Sequence, residues 1–105
     1  FRGILSTIYI DLRKGVTKNK VNSELKKYYK NERFVKISNP DTFLSTNDVI
    51  NTNNCIISVC NSKYKSKLII LSVIDNLIKG GSGQAVQNMN IRCKFSESEG
   101  LNGKI

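Results

Sequence analysis

Lys67-Leu-Ile-Ile-Leu-Ser-Val-Ile74 contains the longest apolar run in the sequence, Leu68 to Ile74, interrupted only by Ser72. Its length and β-branched content fit a strand. Apolar side chains at consecutive positions fit a strand covered on both faces, and therefore a central one. Reading backwards, Asn61 to Ser66 is turn-like. Asn54 to Cys60 then reads as a second strand with Cys55, Ile57 and Val59 on one face. The connection over residues 41–53 is polar, with Phe43, Leu44, Val49 and Ile50 as its apolar anchors, and it follows the turn chemistry of Asn39-Pro40-Asp41.

Further out, Arg33-Phe-Val-Lys-Ile37 alternates as a short strand. Residues 3–13 read as a longer one, with Ile4, Ser6, Ile8, Ile10 and Leu12 on one face and Leu5, Thr7, Tyr9 and Asp11 on the other. Between them, Thr17 is placed to cap a helix running to about Asn31. Val21, Leu25 and Tyr28 or Tyr29 recur at helical spacing. Lys26, Lys27 and Lys30 lie at its C-terminal end, where cations suit the helix dipole. The order strand, helix, strand, strand, strand gives an α+β fold, a sheet with helix on one side.

The chain has 105 residues, 39% of them hydrophobic and 24% charged, which suits one compact globular domain. It opens at Phe1 inside a strand pattern, as a piece of a longer protein would. No apolar run approaches the roughly 20 residues that span a bilayer, and no signal-peptide pattern is present, so a soluble, cytoplasmic protein is expected. Three cysteines (Cys55, Cys60, Cys93) without metal-ligand spacing, and no histidine, argue against a zinc site and for buried reduced thiols. The net charge of +9 invites nucleic acid or another polyanion. The lysines are spread along the chain, however, and the aromatic residues are dispersed like core residues, so a solvated basic surface is the favoured reading over an RNA-binding module.

At Asp75 the character changes. Asp75-Asn-Leu-Ile-Lys79-Gly80-Gly81-Ser82-Gly83 is a glycine-rich approach to a helix whose spacing runs through Ala85, Val86, Met89 and Cys93. Glycines before a helix allow close approach of a ligand or of another backbone, and free N–H groups at a helix start favour an anion or a carbonyl. Lys79 could hold a phosphate or carboxylate. Gln84 with Gln87 or Asn88 could pair with an amide ligand such as nicotinamide, which needs both a donor and an acceptor. From spacing alone, a flexible linker ahead of a core-packing helix with surface amides is the favoured reading. Asp75 and Asn76 are expected to cap and orient this helix. The stretch from Phe95 to Ile105 reads as a loose tail.

Residues 74–91, Ile-Asp-Asn-Leu-Ile-Lys-Gly-Gly-Ser-Gly-Gln-Ala-Val-Gln-Asn-Met-Asn-Ile, closely resemble the C-terminal signature of N-acetyl-gamma-glutamyl-phosphate reductases, roughly IDNLVKGAAGQAVQNMN, with Gly81-Ser82 in place of two alanines. Arg2 to Thr7 resembles the RGILxT strand of that family. Tyr29 to Val35, Asp48-Val49 with Thr52-Asn53, and Glu99-Gly100-Leu101 resemble later segments in order.

The resemblance implies a mixed, largely antiparallel sheet with helices on one face, the C-terminal catalytic and dimerisation domain of the aspartate-semialdehyde and glyceraldehyde-3-phosphate dehydrogenase superfamily. Residues 1–74 would form part of that substrate and dimerisation domain, residues 75–93 the glycine-rich approach and C-terminal helix directed at a dinucleotide-binding domain, and residues 94–105 the tail. It implies an NADPH-dependent reductase of N-acetyl-glutamyl 5-phosphate in arginine biosynthesis, acting as a homo-oligomer on a small-molecule substrate, without nucleic acid or membrane. A lysine-pathway reductase of aminoadipyl phosphate is the related alternative. The family's nucleophilic cysteine, in an Asn-Pro-Gly-Cys-type turn, and its acid/base histidine have no counterpart here. They are expected upstream together with most NADPH contacts, and the piece alone is expected to be inactive. By resemblance, Gln84, Gly83, Gly80 and Lys79 would approach the cofactor. Arg2 would bind the substrate's anionic end or form a salt bridge within the fold.

Overall fold

A computed structural model describes residues 2–103. Four strands form one sheet: β1 (Ile4–Asp11), β2 (Val35–Ile37), β3 (Cys55–Asn61) and β4 (Lys67–Ile74), in the order β1-β4-β3-β2. β4 pairs antiparallel with β1 on one side and β3 on the other, while β3 and β2 run parallel. The sheet is therefore mixed and largely antiparallel, and the apolar run 67–74 is central in its hydrogen bonding.

Helix α1 (Lys18–Tyr28) begins at Thr17, whose hydroxyl accepts from the Lys20 N–H, and carries Lys26 and Lys27 in its last turn. It lies over β3 and β2. This placement explains a departure from the expected burial. Ser58, Val59 and Cys60 make the middle of β3 buried on both faces, whereas Ile69 to Ser72 of β4 are only half-buried. Leu68 and Val73 are the buried residues of β4, and Phe34, Val49 and Val59 complete the apolar core.

Of the four anchors read in the 41–53 connection, Val49 is fully buried, but Phe43 is 90% exposed and Ile50 is also exposed. Hydrogen bonds hold this segment where apolar contact was expected. Ser45 and Asp48 form a reciprocal capping box around a short 3-10 turn, Thr46–Asp48, and Asp41 pairs with Lys18 and accepts from the Asn61 N–H.

The strand register brings three chain segments to one end of the sheet. Ile74 faces Ile4 on one side and Cys55 on the other. Arg2-Gly3, Asn51 to Asn54 and the segment after Ile74 therefore meet. A five-residue π turn, Ile78–Ser82, leads there into α2 (Gly83–Arg92). The apolar spacing of α2 runs through Ala85, Val86, Met89 and Cys93. Val86 is half-buried and the other three are exposed, and the buried residues are Gly83, Gln87 and Asn90. The helix lies against the polar 51–54 segment and the tail, so amides face inward and Cys93 is not a buried thiol. The tail, read as loose, is bonded through residue 102: Asn90 donates to the carbonyls of Glu97 and Glu99, and the Asn102 carbonyl accepts from the Asn53 N–H at 2.7 Å. Lys104 and Ile105 of that reading lie outside the described residues.

Candidate functional site

Asp75 organises the glycine-rich segment. Its carboxylate is fully buried and accepts from the Leu77 and Ile78 N–H groups at 2.9 and 3.2 Å, from the Asn51 N–H at 2.9 Å, and from Arg2, whose Nη2 lies 2.8 Å from Oδ2. Burial opposes ionisation. The Arg2 guanidinium and the three backbone donors outweigh it and bring the carboxyl down to about 2. Asn76 accepts from the Gly3 N–H at 2.7 Å. Gly3 sits at φ +110 with its α-carbon against Thr46, where a Cβ would come within 2.5 Å of the threonine Cβ. Asp75 and Asn76 thus cap the turn and tie it to the start of β1.

The turn is wide. Gly80 N–H donates to the Asp75 carbonyl and Ser82 N–H to that of Leu77, both five residues back. It delivers α2 with Gly83 pressed against Asn53, whose Oδ1 would lie 2.4 Å from a Cβ at that position. Gly83 therefore serves close approach of backbone to backbone segment, while Gly80 is exposed and has room beside it.

Lys79 turns inward. Its Nζ donates to Gln87 Oε1 at 2.7 Å and lies 5.6 Å from the centre of the Phe34 ring. Burial lowers its pKa, opposed by the negative charge available at Cys55, Glu97 and Glu32. Gln87 Oε1 also accepts from Asn53 Nδ2 at 2.8 Å, and Gln87 Nε2 donates to Glu97 Oε1 at 2.7 Å. Both ends of the Gln87 carboxamide are used inside the fold.

Gln84 and Asn88 lie on a different side of α2. Gln84 Nε2 donates to Asn88 Oδ1 at 3.0 Å at the surface. Among the described residues, Gln84 Oε1 and Asn88 Nδ2 have no hydrogen-bond partner, so the pair presents an acceptor and a donor side by side. That is what a carboxamide ligand requires.

Of the residues singled out in the sequence, the structure brings Arg2, Lys79, Gly80, Gly83 and Gln84 to one end of the sheet. Arg2 is engaged by Asp75, Lys79 by Gln87 and Gly83 by Asn53. Gln84 and Gly80 are left facing outward. The residues that sequence reasoning missed are Asn53, Asn90 and Glu97. An unusual density of amides in α2 was the available signal, but nothing in the spacing pointed to Glu97. A hollow of about 580 Å³ follows α1 between Val16, Val21, Leu25 and Tyr28 and shares no residue with this site. Among the described residues, no group of three His, Cys, Asp or Glu side chains could hold a metal ion, and no helix is long and apolar enough to cross a membrane.

Residues 1–76 match the family model described as semialdehyde dehydrogenase, dimerisation domain. The chain belongs to this dimerisation-domain family. The N-acetyl-gamma-glutamyl-phosphate reductase of Pelobacter propionicus is 48% identical over 102 residues, 97% of this chain and 30% of that protein. The probable chloroplastic N-acetyl-gamma-glutamyl-phosphate reductase of Oryza sativa subsp. japonica is 42% identical over 100 residues, 95% of this chain and 24% of that protein. The aspartate semialdehyde dehydrogenase II of Vibrio cholerae shares the fold, with a TM-score of 0.66 and 20% identity over 90% of this chain and 29% of the other. This semialdehyde dehydrogenase dimerisation domain thus spans less than a third of the length of the relatives it matches.

Proposed function

We propose that this chain is the C-terminal part of an NADPH-dependent reductase that converts N-acetyl-glutamyl 5-phosphate to N-acetyl-glutamate 5-semialdehyde in arginine biosynthesis. The observation that carries the reading is the 48% identity to the Pelobacter propionicus enzyme of that name along almost the whole chain. The folded form of residues 74–91, with a surface amide pair at a glycine-rich approach, agrees with it.

In this reading NADPH supplies the hydride, and the nucleophilic cysteine and acid/base histidine belong to the remainder of a longer polypeptide. This chain contributes an acceptor and a donor for the nicotinamide carboxamide, Gln84 with Asn88, and the open backbone at Gly80. Lys79 and Gly83 act from behind, by fixing α2. Arg2 supports the same end of the sheet through Asp75 and reaches the substrate only if that pair opens. The dimerisation-domain family points to a homo-oligomer, and the pathway to a cytoplasmic or organellar compartment.

The test uses the complete polypeptide that carries this chain. Phosphate-dependent formation of NADPH from N-acetyl-glutamate semialdehyde and NADP is expected, with no turnover by residues 1–105 alone. A complete polypeptide that turns over aspartate semialdehyde instead, or no semialdehyde, would overturn the reading.

A further inference from the structure

The buried side of α2 contains no apolar side chain among its fully buried residues: Gly83, Gln87 and Asn90 occupy it, while Met89 and Ile91 are more than half exposed. Burial of apolar surface is non-directional and tolerates rotation of a helix about its axis. Hydrogen bonds are directional and do not. Gln87 is the point at which they converge. It takes Asn53 from the segment before β3 and Lys79 from the π turn, and it gives to Glu97 from the tail. These three partners approach from three different parts of the chain.

Successive residues of a helix are about 100° apart around its axis. Gln84 follows Gly83 by one position and Asn88 follows Gln87 by one. The surface amides are therefore displaced by about 100° from the anchored side. Turning the helix by a fraction of that angle would swing Gln84 Oε1 and Asn88 Nδ2 away from a carboxamide held in front of them. We propose that Gln87, fixed by Lys79, Asn53 and Glu97, is a positioning residue that sets the rotation of α2 and thereby the aim of the Gln84–Asn88 amide pair. The proposal rests on the reading that this pair meets the nicotinamide carboxamide. It also settles which amides remain for that role, since the Gln87 carboxamide has donor and acceptor already engaged.

The test measures equilibrium dissociation constants, by fluorescence titration of the complete polypeptide, for NADPH and for its reduced 3-acetylpyridine analogue. The analogue replaces the carboxamide NH2 by a methyl group and so removes the donor. The unaltered protein is expected to prefer NADPH, and Gln84→Ala to reduce that preference about tenfold, the scale of one well-formed hydrogen bond whose partner is left unpaired. Gln87→Leu, which touches no cofactor, is expected to reduce it equally.

Gln87→Glu alone sets a carboxylate against Glu97 and is expected to reduce it as well. Gln87→Glu with Glu97→Gln restores every bond with donor and acceptor exchanged toward the tail, and is expected to recover the preference. If Gln84→Ala abolishes the preference while Gln87→Leu and Gln87→Glu keep it, the positioning role is overturned and the cofactor reading stands. If Gln84→Ala keeps the preference, the amide pair does not meet the carboxamide and the cofactor reading falls first. Should Gln87→Leu fail to fold, the exchange pair decides: no recovery in the double variant overturns the proposal.

Discussion

The Arg2 guanidinium grips the Asp75 carboxylate with Nη2 2.8 Å from Oδ2 and Nε 3.2 Å from Oδ1, across a separation of 73 residues. The carboxylate has no exposure to solvent and the arginine side chain about a quarter. The pair closes the sheet at the end where β1 begins and β4 finishes. The remaining lone pairs of the carboxylate hold the Asn51 N–H and the first turn after β4. One side chain thus fixes the relative position of three segments that the proposed cofactor approach depends on.

Removing one member of a well-bonded buried pair leaves the other charge uncompensated and costs about 3 kcal/mol or more. Asp75→Ala is expected to lose stability on that scale, and Arg2→Leu somewhat less because the arginine is partly solvated. Urea denaturation of each variant against the unaltered chain checks both.

The same carboxyl gives a pH dependence whose sign follows from its depressed pKa. A group bound more weakly by protons in the folded state stabilises the fold above the unfolded pKa of about 3.9. That contribution fades as pH falls toward the folded value of about 2. The urea midpoint is therefore expected to drop between about pH 4 and pH 2, and Asp75→Asn is expected to flatten that part of the profile. An unchanged slope in the variant would show that other carboxylates govern acid unfolding.

Gly80 and Gly83 look alike in sequence, and the structure separates them. A Cβ at 83 would meet Asn53 Oδ1 at 2.4 Å and Ile78 Cγ2 at 2.7 Å, whereas at 80 the nearest atom, Ile74 Cδ1, is 3.4 Å away. Gly83→Ala is expected to cost about 1–3 kcal/mol through overpacking. Gly80→Ala is expected to lie within about 0.5 kcal/mol of the unaltered chain, as surface changes usually do. Thermal melting of the two variants side by side decides.

The strands and α1 were legible in the sequence because their signals are local. Alternation marked β1 and β2, consecutive apolar residues marked β4, and Thr17 marked the start of α1. The boundaries of β4 coincide with the reading, and the others agree to within three residues. The site was legible only in part. Gln84 and the glycines are in one segment, but Gln87 meets Asn53 and Glu97 through hydrogen bonds spanning 34 and 10 positions, and no periodicity encodes that. The apolar residues of α2 misled for the same reason: Ala85, Met89 and Cys93, four apart, follow a helical pattern that here faces outward, because the inward side is satisfied by amides. Charge was the weakest guide, since among the described lysines Lys18 and Lys67 pair with single aspartates, Lys79 turns inward to Gln87, and the others stand in solvent.

Among the described residues, strand β1 pairs with β4 alone and leaves Ile4, Leu5, Ile8 and Tyr9 exposed on an edge. An apolar edge of this kind is a template for association. In a dimerisation-domain family it is expected to be covered in the assembled protein. Residues 2–103 alone are expected to self-associate and to bind a hydrophobic dye, and Leu5→Lys with Tyr9→Lys is expected to shift sedimentation toward the monomer. A monomeric, dye-silent parent chain would contradict the assignment of this edge.

Lys79 supplies the last test, because its pKa is lowered like that of Asp75 but with the opposite meaning: the fold favours the charged carboxylate and disfavours the charged ammonium. Burial lowers it, and the charges at Cys55, Glu97 and Glu32 recover only part of the loss. Between the lowered folded pKa and the unfolded value of about 10.4, the unfolded chain binds more protons than the folded one, so stability rises with pH across that window. Lys79→Met removes the titrating group and keeps the stem over Phe34, and is expected to abolish the rise. The bond to Gln87 is lost at the same time, which lowers stability at every pH. Denaturant midpoints measured from neutral pH upward separate the two effects: a constant offset reports the hydrogen bond, and a change of slope reports the buried charge. A variant that differs by an offset alone would mean that the Lys79 ammonium is as well solvated in the fold as in the unfolded chain.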